Sequence, residues 1–302
     1  MKVTITGATG RVGATLVERL RARDDEVTVL SRSGQRALER LPAGVEAVAW
    51  DPKAGPAPVE ALTGRDAVVH LAGEDVGQRW SEEVKREIRD SREVGTRNLV
   101  EGLAVAQPRP GLLVSASGSN YYGPRGDERV DEAEGPGYDF LAQVCVAWER
   151  EARRAQDHGV RVVTVRTGPV LDKEGGALAK MLTPFRLGVG GPVAGGDQYL
   201  PWIHLEDIVG LYLAALDSTT FQGAINASAP EPVTNKAFSQ TLGKAIRRPA
   251  LAPIPGFAIK LLYGDMAQLV TEGVRMVPGR APELGYTFAH PDLDDALRDT
   301  LS

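Results

Sequence analysis

The sequence predicts the α/β class, a doubly wound parallel sheet with a smaller C-terminal lobe, and three observations lead there. Short β-branched runs alternate with helical patterns over the first two-thirds of the 302 residues, the signature of right-handed βαβ units. A glycine-rich turn, Gly7-Ala8-Thr9-Gly10-Arg11-Val12-Gly13, joins the first run to the first helical pattern. After Arg166 the texture changes to Gly- and Pro-rich loops (GVGGPVAGGDQYLP), and from Thr234 to short helices broken by turns such as LAPIPGF.

Taken in order, the strand candidates are KVTITG, EVTVLS, VEAVAW, DAVVHLAG, GLLVSAS and VRVVTVR. The connecting helices are ATLVERLRAR, a weaker segment near RALERL, the long SEEVKREIRDSREVGTRNLVEGLAVA, and one that opens with YDFLAQVCVAWERE at residues 138–151. Six strands with crossovers suffice for a doubly wound sheet. Residues 1–170 are assigned to this sheet domain, and 200–228, which include IHLEDIVGLYLAAL, return to it. Residues 171–199 and 229–302 are assigned to a small, mostly helical lobe that would hold substrate.

With 42% apolar residues the chain can bury a full core. It has no apolar run long enough to span a bilayer, and Met1 leads straight into the first strand, so neither a membrane span nor a signal peptide is expected. The expected address is cytoplasmic. Cys145 is the only cysteine, which excludes a disulfide framework and a thiolate zinc site. His70, His158, His204 and His290 are scattered singly, and no metal site is expected. A net charge of −5 argues against nucleic acid, and the arginines of WEREARRAQDHGVR alternate with acids as on a solvated helix face. The expected partner is a small molecule; the sequence assigns no oligomeric state.

The position of the glycines gives them meaning. Gly7 permits a tight turn after the first strand, Gly10 lets backbone approach a pyrophosphate, and Gly13 lets helix and strand pack closely. The helix N-terminus adds free N–H groups and positive dipole. The sheet is therefore expected to be of the Rossmann type and to bind a dinucleotide. The second strand ends in Ser31-Arg32-Ser33, with no acid to accept from an adenosine ribose. An Arg there grips a 2′-phosphate instead, so NADP(H) is favoured over NAD(H). Asp51, closing the third strand, is placed to accept from the adenine amine.

The Gly-x-x-Gly-x-x-Gly spacing, His70-Leu71-Ala72-Gly73 and Tyr122-Gly123 resemble the extended short-chain dehydrogenase/reductases. HLAGEDVGQRW, SREVGTRNLV, RTGPVL, GGPVAGGDQYLPWIHLEDI, and NASAPEPVTNKAFSQTLGKAIRRPALAPIPGFAIKLLYG followed by ELGYTF look more specifically like the atypical YfcH-like "epimerase family" of NAD(P)-binding oxidoreductases. That family carries a C-terminal domain of unknown function, and the resemblance covers almost the whole chain. It implies that Gly7, Thr9, Gly10, Arg11, Val12, Gly13, Ser31 and Arg32 form the cofactor motif. It further implies that Asp51 and Pro52 line the adenine side, that Leu71, Ala72 and Gly73 pass the ribose, and that Glu74 and Arg79 lie just beyond. Pro169 and Val170 fall where related enzymes hold the nicotinamide carboxamide with backbone atoms. The plain alternatives are a core strand end for Leu71 to Gly73 and a surface salt bridge between Glu74 and Arg79.

The resemblance also exposes a gap. Extended reductases carry Tyr-x-x-x-Lys on the helix of residues 138–151, the tyrosine giving a proton and the lysine, near the nicotinamide ribose, lowering its pKa and helping to relay the proton. Counting back from Glu149 puts Leu141 and Cys145 in those two slots. With Val144 and Trp148 they form an i, i+3, i+4, i+7 stripe, the pattern of a buried face, where a thiol is inert. Gly118 occupies the slot for a substrate-binding Ser or Thr, between Ser117 and Ser119. Ser117, Tyr121 and Tyr122 remain as candidate proton donors.

Two readings follow. One is an NADP(H)-dependent oxidoreductase or epimerase-like enzyme using another donor on a small polar metabolite. The other is a non-catalytic protein that binds or senses NADP(H). A Gly190–Gly196 lid and a pocket walled by Trp80, Tyr199 and Trp202 would favour the enzyme; the aromatics equally fit packing between lobes.

Overall fold

A computed structural model describes residues 1–250 and 253–302; Leu251 and Ala252, the start of the LAPIPGF turn, lie outside the described residues. Seven strands form the main sheet: β1 (Lys2–Thr6), β2 (Glu26–Ser31), β3 (Glu46–Ala49), β4 (Ala67–His70), β5 (Leu112–Gly118), β6 (Arg161–Thr167) and β7 (Gly223–Ala227). They lie in the order β7-β6-β5-β4-β1-β2-β3, every neighbouring pair parallel. The order reverses at β1, flanked by β2 and β4, and the crevice beyond the carboxyl ends at such a switch point is where nucleotides bind.

Six strands coincide with the six expected runs. The seventh, GAINA, has too little β-branched character to read as a strand, yet it forms the sheet edge beside β6.

The helices that matter are α1 (Arg11–Arg21), α2 (Gly34–Leu38), α3 (Glu82–Val105), α4 (Phe140–Arg153), α5 (Gly176–Arg186), α6 (Leu205–Asp217), α7 (Asn235–Ala245), α8 (Gly256–Tyr263) and α9 (Leu293–Leu301). Side chains alternate along each strand, so both faces of the sheet are buried. Val3, Ile5, Val69 and Val163 pack against α1 and α6, while Val68, Leu113 and Val162 pack against α3. Ser81 accepts from the Val84 N–H and Asp139 from the N–H groups of Leu141 and Ala142, which sets the starts of α3 and α4.

A third core cluster contains Trp202, with Leu171, Leu178, Leu182 and Phe185 before it in the chain and Phe238, Leu242 and Leu297 after it. Trp202 is fully buried and Trp80 packs edge-on to Phe140 at 5.4 Å, so both act as packing residues and neither lines an open pocket. Tyr199 is half-buried beneath the Arg275 guanidinium. The Gly190–Gly196 segment is tied down: the Val193 N–H donates to Asn235 Oδ1 at 2.8 Å and the Lys236 N–H to the Gly196 carbonyl at 2.9 Å. Those bonds join the Gly190–Gly196 loop to the start of α7. No helix among the described residues is long and apolar enough to cross a membrane.

Candidate functional site

The glycine turn admits no side chains where it matters. A Cβ on Gly13 would lie 2.4 Å from the Gly7 carbonyl oxygen, and one on Gly7 would lie 2.7 Å from the Leu71 carbonyl carbon. Gly7 also sits at φ +70°, a left-handed conformation that glycine adopts without strain. Gly10 caps α1 without a side chain, and the first helical bond runs from Ala14 N–H to Gly10 O. The N–H groups of Arg11, Val12 and Gly13 therefore have no partner within the helix. Gly7, Gly10, Arg11, Val12, Gly13, Leu71 and Val170 line one cavity of about 310 Å³, together with Asp172, Gly175 and Gly176. Thr9 is exposed at the turn's tip.

The Arg11 guanidinium does not point freely into this cavity. It donates to Asp172 Oδ2 at 2.5 Å and pairs with Glu174 at 2.8 Å, which raises its pKa. Those two carboxylates would repel an anion, and Arg11 offsets them. Asp172 was not visible as a site residue in sequence, because only the fold brings it to the turn.

At the end of β2, Arg32 is exposed and makes no ion pair among the described residues, whereas the Ser31 hydroxyl folds back on Ser33. Asp51 is exposed and accepts the Lys53 N–H; the Pro52 carbonyl accepts from Asn98 of α3. After β4, Thr6 Oγ1 accepts from the N–H groups of Leu71 and Ala72, both at 3.2 Å. Its one proton then goes to His70 Nδ1 at 2.7 Å, and His70 Nε2 donates to Thr96 at 3.0 Å. This chain fixes the Leu71–Gly73 backbone against β1 and α3. Glu74 accepts from Gln78, and Arg79 lies beside Gly264 of the C-terminal region, so the two do not form the surface salt bridge weighed for them. The Pro169 carbonyl accepts the Ile203 N–H, and Val170 pairs with Ile203.

On α4 the stripe of Leu141, Val144, Cys145 and Trp148 is buried. Burial pushes the Cys145 thiol up to about 11 against the pull of nearby Arg92. Below it lies a buried polar network that reaches the surface through Arg153, which donates to Glu149. Glu149, with 0% exposure, accepts Ser117 Oγ at 2.9 Å, Arg166 Nε at 2.8 Å and Arg166 Nη2 at 3.0 Å. Arg166 Nη1 donates to the Tyr122 hydroxyl at 2.8 Å, which donates to Asn226 Oδ1 at 2.7 Å. Burial pushes the Tyr122 phenol up to about 12. Ser117 and Tyr122 are thereby withdrawn from the proton-donor candidates, since each hydroxyl proton is already committed inside the core. Tyr121 is half-buried with the Arg166 guanidinium 3.4 Å from its ring centre, and its hydroxyl makes no hydrogen bond among the described residues.

Comparison with known proteins agrees with this geometry. Residues 3–227 match the NAD dependent epimerase/dehydratase family, and residues 254–300 match a domain of unknown function, DUF1731. The chain belongs to the NAD dependent epimerase/dehydratase family. It is 41% identical, over 99% of its own length and 86% of the relative, to "Epimerase family protein SDR39U1 homolog, chloroplastic" of Arabidopsis thaliana. It is 35% identical to human epimerase family protein SDR39U1, whose crystal structure with NADPH superposes with a TM-score of 0.89 over 99% of both chains. UDP-glucuronic acid 4-epimerase from Bacillus cereus shares the fold, with a TM-score of 0.79 at 17% identity over 100% of this chain and 99% of that one.

Within this family member, two histidines read singly in the sequence come together. The His204 and His290 rings stack with centres 3.8 Å apart, and His204 Nε2 lies 3.2 Å from Asp299. His204 Nδ1 accepts the Glu206 N–H and caps α6, so Nε2 carries the proton on the side of Asp299. A metal ion at Nε2 would need the opposite tautomer and would uncap the helix.

Proposed function

We propose that this chain is an NADP(H)-binding oxidoreductase or epimerase-like enzyme acting on a small polar metabolite. The observation that carries the proposal is the glycine turn, where positions 7 and 13 admit no Cβ and three N–H groups of α1 lack helical partners. Those N–H groups would hold the pyrophosphate, Arg32 the 2′-phosphate and Asp51 the adenine amine. The Pro169–Val170 backbone would lie on the nicotinamide side, and of the candidates Ser117, Tyr121 and Tyr122 the Tyr121 hydroxyl is the one left uncommitted to serve as proton donor. When bound, the nicotinamide supplies or accepts a hydride. The human relative solved with NADPH supports the same cofactor. We assign no nucleic-acid or membrane partner, and a cytoplasmic location; one plant relative is described as chloroplastic, so fractionation is the check.

A second reading, a protein that binds or senses NADP(H) without turnover, is favoured by Leu141 and Cys145 in the Tyr and Lys slots and by the commitment of Ser117 and Tyr122 to the buried network. Calorimetric titration tests the cofactor. NADPH should bind about tenfold or more tightly than NADH, since the charge-assisted contact to Arg32 is worth roughly 1.5–3 kcal/mol. Arg32→Asp should reverse the preference. Equal affinities would remove Arg32 from its role.

A further inference from the structure

We propose that Arg92 holds the nicotinamide-side ribose of the bound dinucleotide, taking over the binding half of the missing lysine's task and leaving its proton-relay half unfilled. The inference rests on the NADP(H) reading and concerns a residue of α3, far along the chain from the glycine turn.

Arg92 lies between the two segments that the family resemblance sets beside such a ribose. On one side is the backbone after β4: a Cβ on Gly73 would lie 3.0 Å from the Arg92 Cζ, so the glycine makes room for the guanidinium. On the other side is α4, where Arg92 Cζ lies 5.0 Å from the Trp148 ring centre. Trp148 is one turn beyond Cys145, the lysine slot, and Arg92 is near enough to Cys145 to draw its thiol pKa down against burial. A positive charge is thus present beside the slot although the slot itself is apolar.

That charge is poorly satisfied by the protein. Among the described residues Arg92 donates only to the Ile88 carbonyl, at 3.1 Å, and no carboxylate lies within ion-pair distance. Burial holds its pKa below the usual value, with partial relief from Cys145, Glu74 and Asp75. A half-buried guanidinium normally spends its five donors on carboxylates or carbonyls; here most remain for a ligand. The planar fork suits two adjacent hydroxyls, as on a ribose. Arginine does not give up its proton near neutral pH, so it cannot relay one as lysine does. The plain alternative is that Arg92 only packs α3 onto α4 through Trp148.

The test compares two ligands by calorimetry: NADPH, and adenosine 2′,5′-bisphosphate, which keeps the 2′-phosphate but has no nicotinamide ribose. Arg92→Gln should weaken NADPH binding by about tenfold or more and leave the bisphosphate unchanged. Arg92→Lys, which keeps the charge and the stem over Trp148, should show the same selectivity with a smaller loss. It carries the test if the glutamine variant does not fold. Equal weakening of both ligands, or of neither, overturns the proposal. Wild-type protein that bound neither ligand would instead sink the NADP(H) reading, and this is seen before any variant is made.

Discussion

At His70 the surroundings decide the protonation state. The ring is fully buried between Thr6 and Thr96, and burial, reinforced by the Arg92 charge, lowers its pKa from 6.5 to about 4. The folded protein therefore binds fewer protons here than the unfolded chain between these two values. The stabilising contribution is complete above pH 6.5 and is lost as pH falls toward 4, by an amount on the order of 3 kcal/mol. His204 shifts in the same direction, through burial and the neighbouring His290. Urea unfolding from neutral to mildly acid pH should show the decline, and His70→Gln should flatten it. An unchanged slope in the variant would show that His70 is not its source.

At the scale of elements, α4 is the informative one. Leu141→Tyr with Cys145→Lys restores the Tyr-x-x-x-Lys spacing but plants a phenol where Leu141 packs with Ile88 and Trp80, and an ammonium where the buried Cys145 thiol lies beside Gly118. Thermal unfolding should show a loss of several kcal/mol, since an unpaired buried polar group costs roughly 2–7 kcal/mol. An unaltered midpoint would mean that the stripe opens onto water. This stripe was legible in the sequence, as were the glycine turn and six strands, because each is a local pattern of period or punctuation. GAINA was not: Gly223 and Asn226 break its strand character, and only the β6 edge makes it a strand. The Asp172–Arg11 pair, the seating of Arg92 beside Gly73 and the His204–His290 stack were equally hidden, because each joins residues that only the fold brings near. Ser117 and Tyr122 were legible as hydroxyls near the cleft, but their commitment to Glu149 and Asn226 depends on side chains from other strands and helices.

For the whole molecule, binding and chemistry should separate. NADPH at about a hundred times its dissociation constant should add about 2.7 kcal/mol of stability by linkage, read as a raised melting temperature. A screen of generic sugar and ketone substrates followed at the nicotinamide absorbance should show little carbonyl reduction, because proton transfer through a Tyr–Lys couple contributes typically 10²–10⁴-fold. Turnover at ordinary enzymatic rates, abolished in Tyr121→Phe, would identify the donor and end the non-catalytic reading. The burial of all four tryptophans gives the molecule a set of internal lamps. Trp50, Trp80, Trp148 and Trp202 are 7%, 8%, 5% and 0% exposed. Trp50 lies on the α3 face of the sheet, Trp80 against Phe140, and Trp202 in the core beyond the sheet. Native emission should be blue and shielded from aqueous quenchers, and single-tryptophan variants would report melting region by region. Trp148, under the Arg92 guanidinium, is the lamp nearest the proposed ribose contact, and its intensity is the optical channel through which occupancy of the cleft would be read.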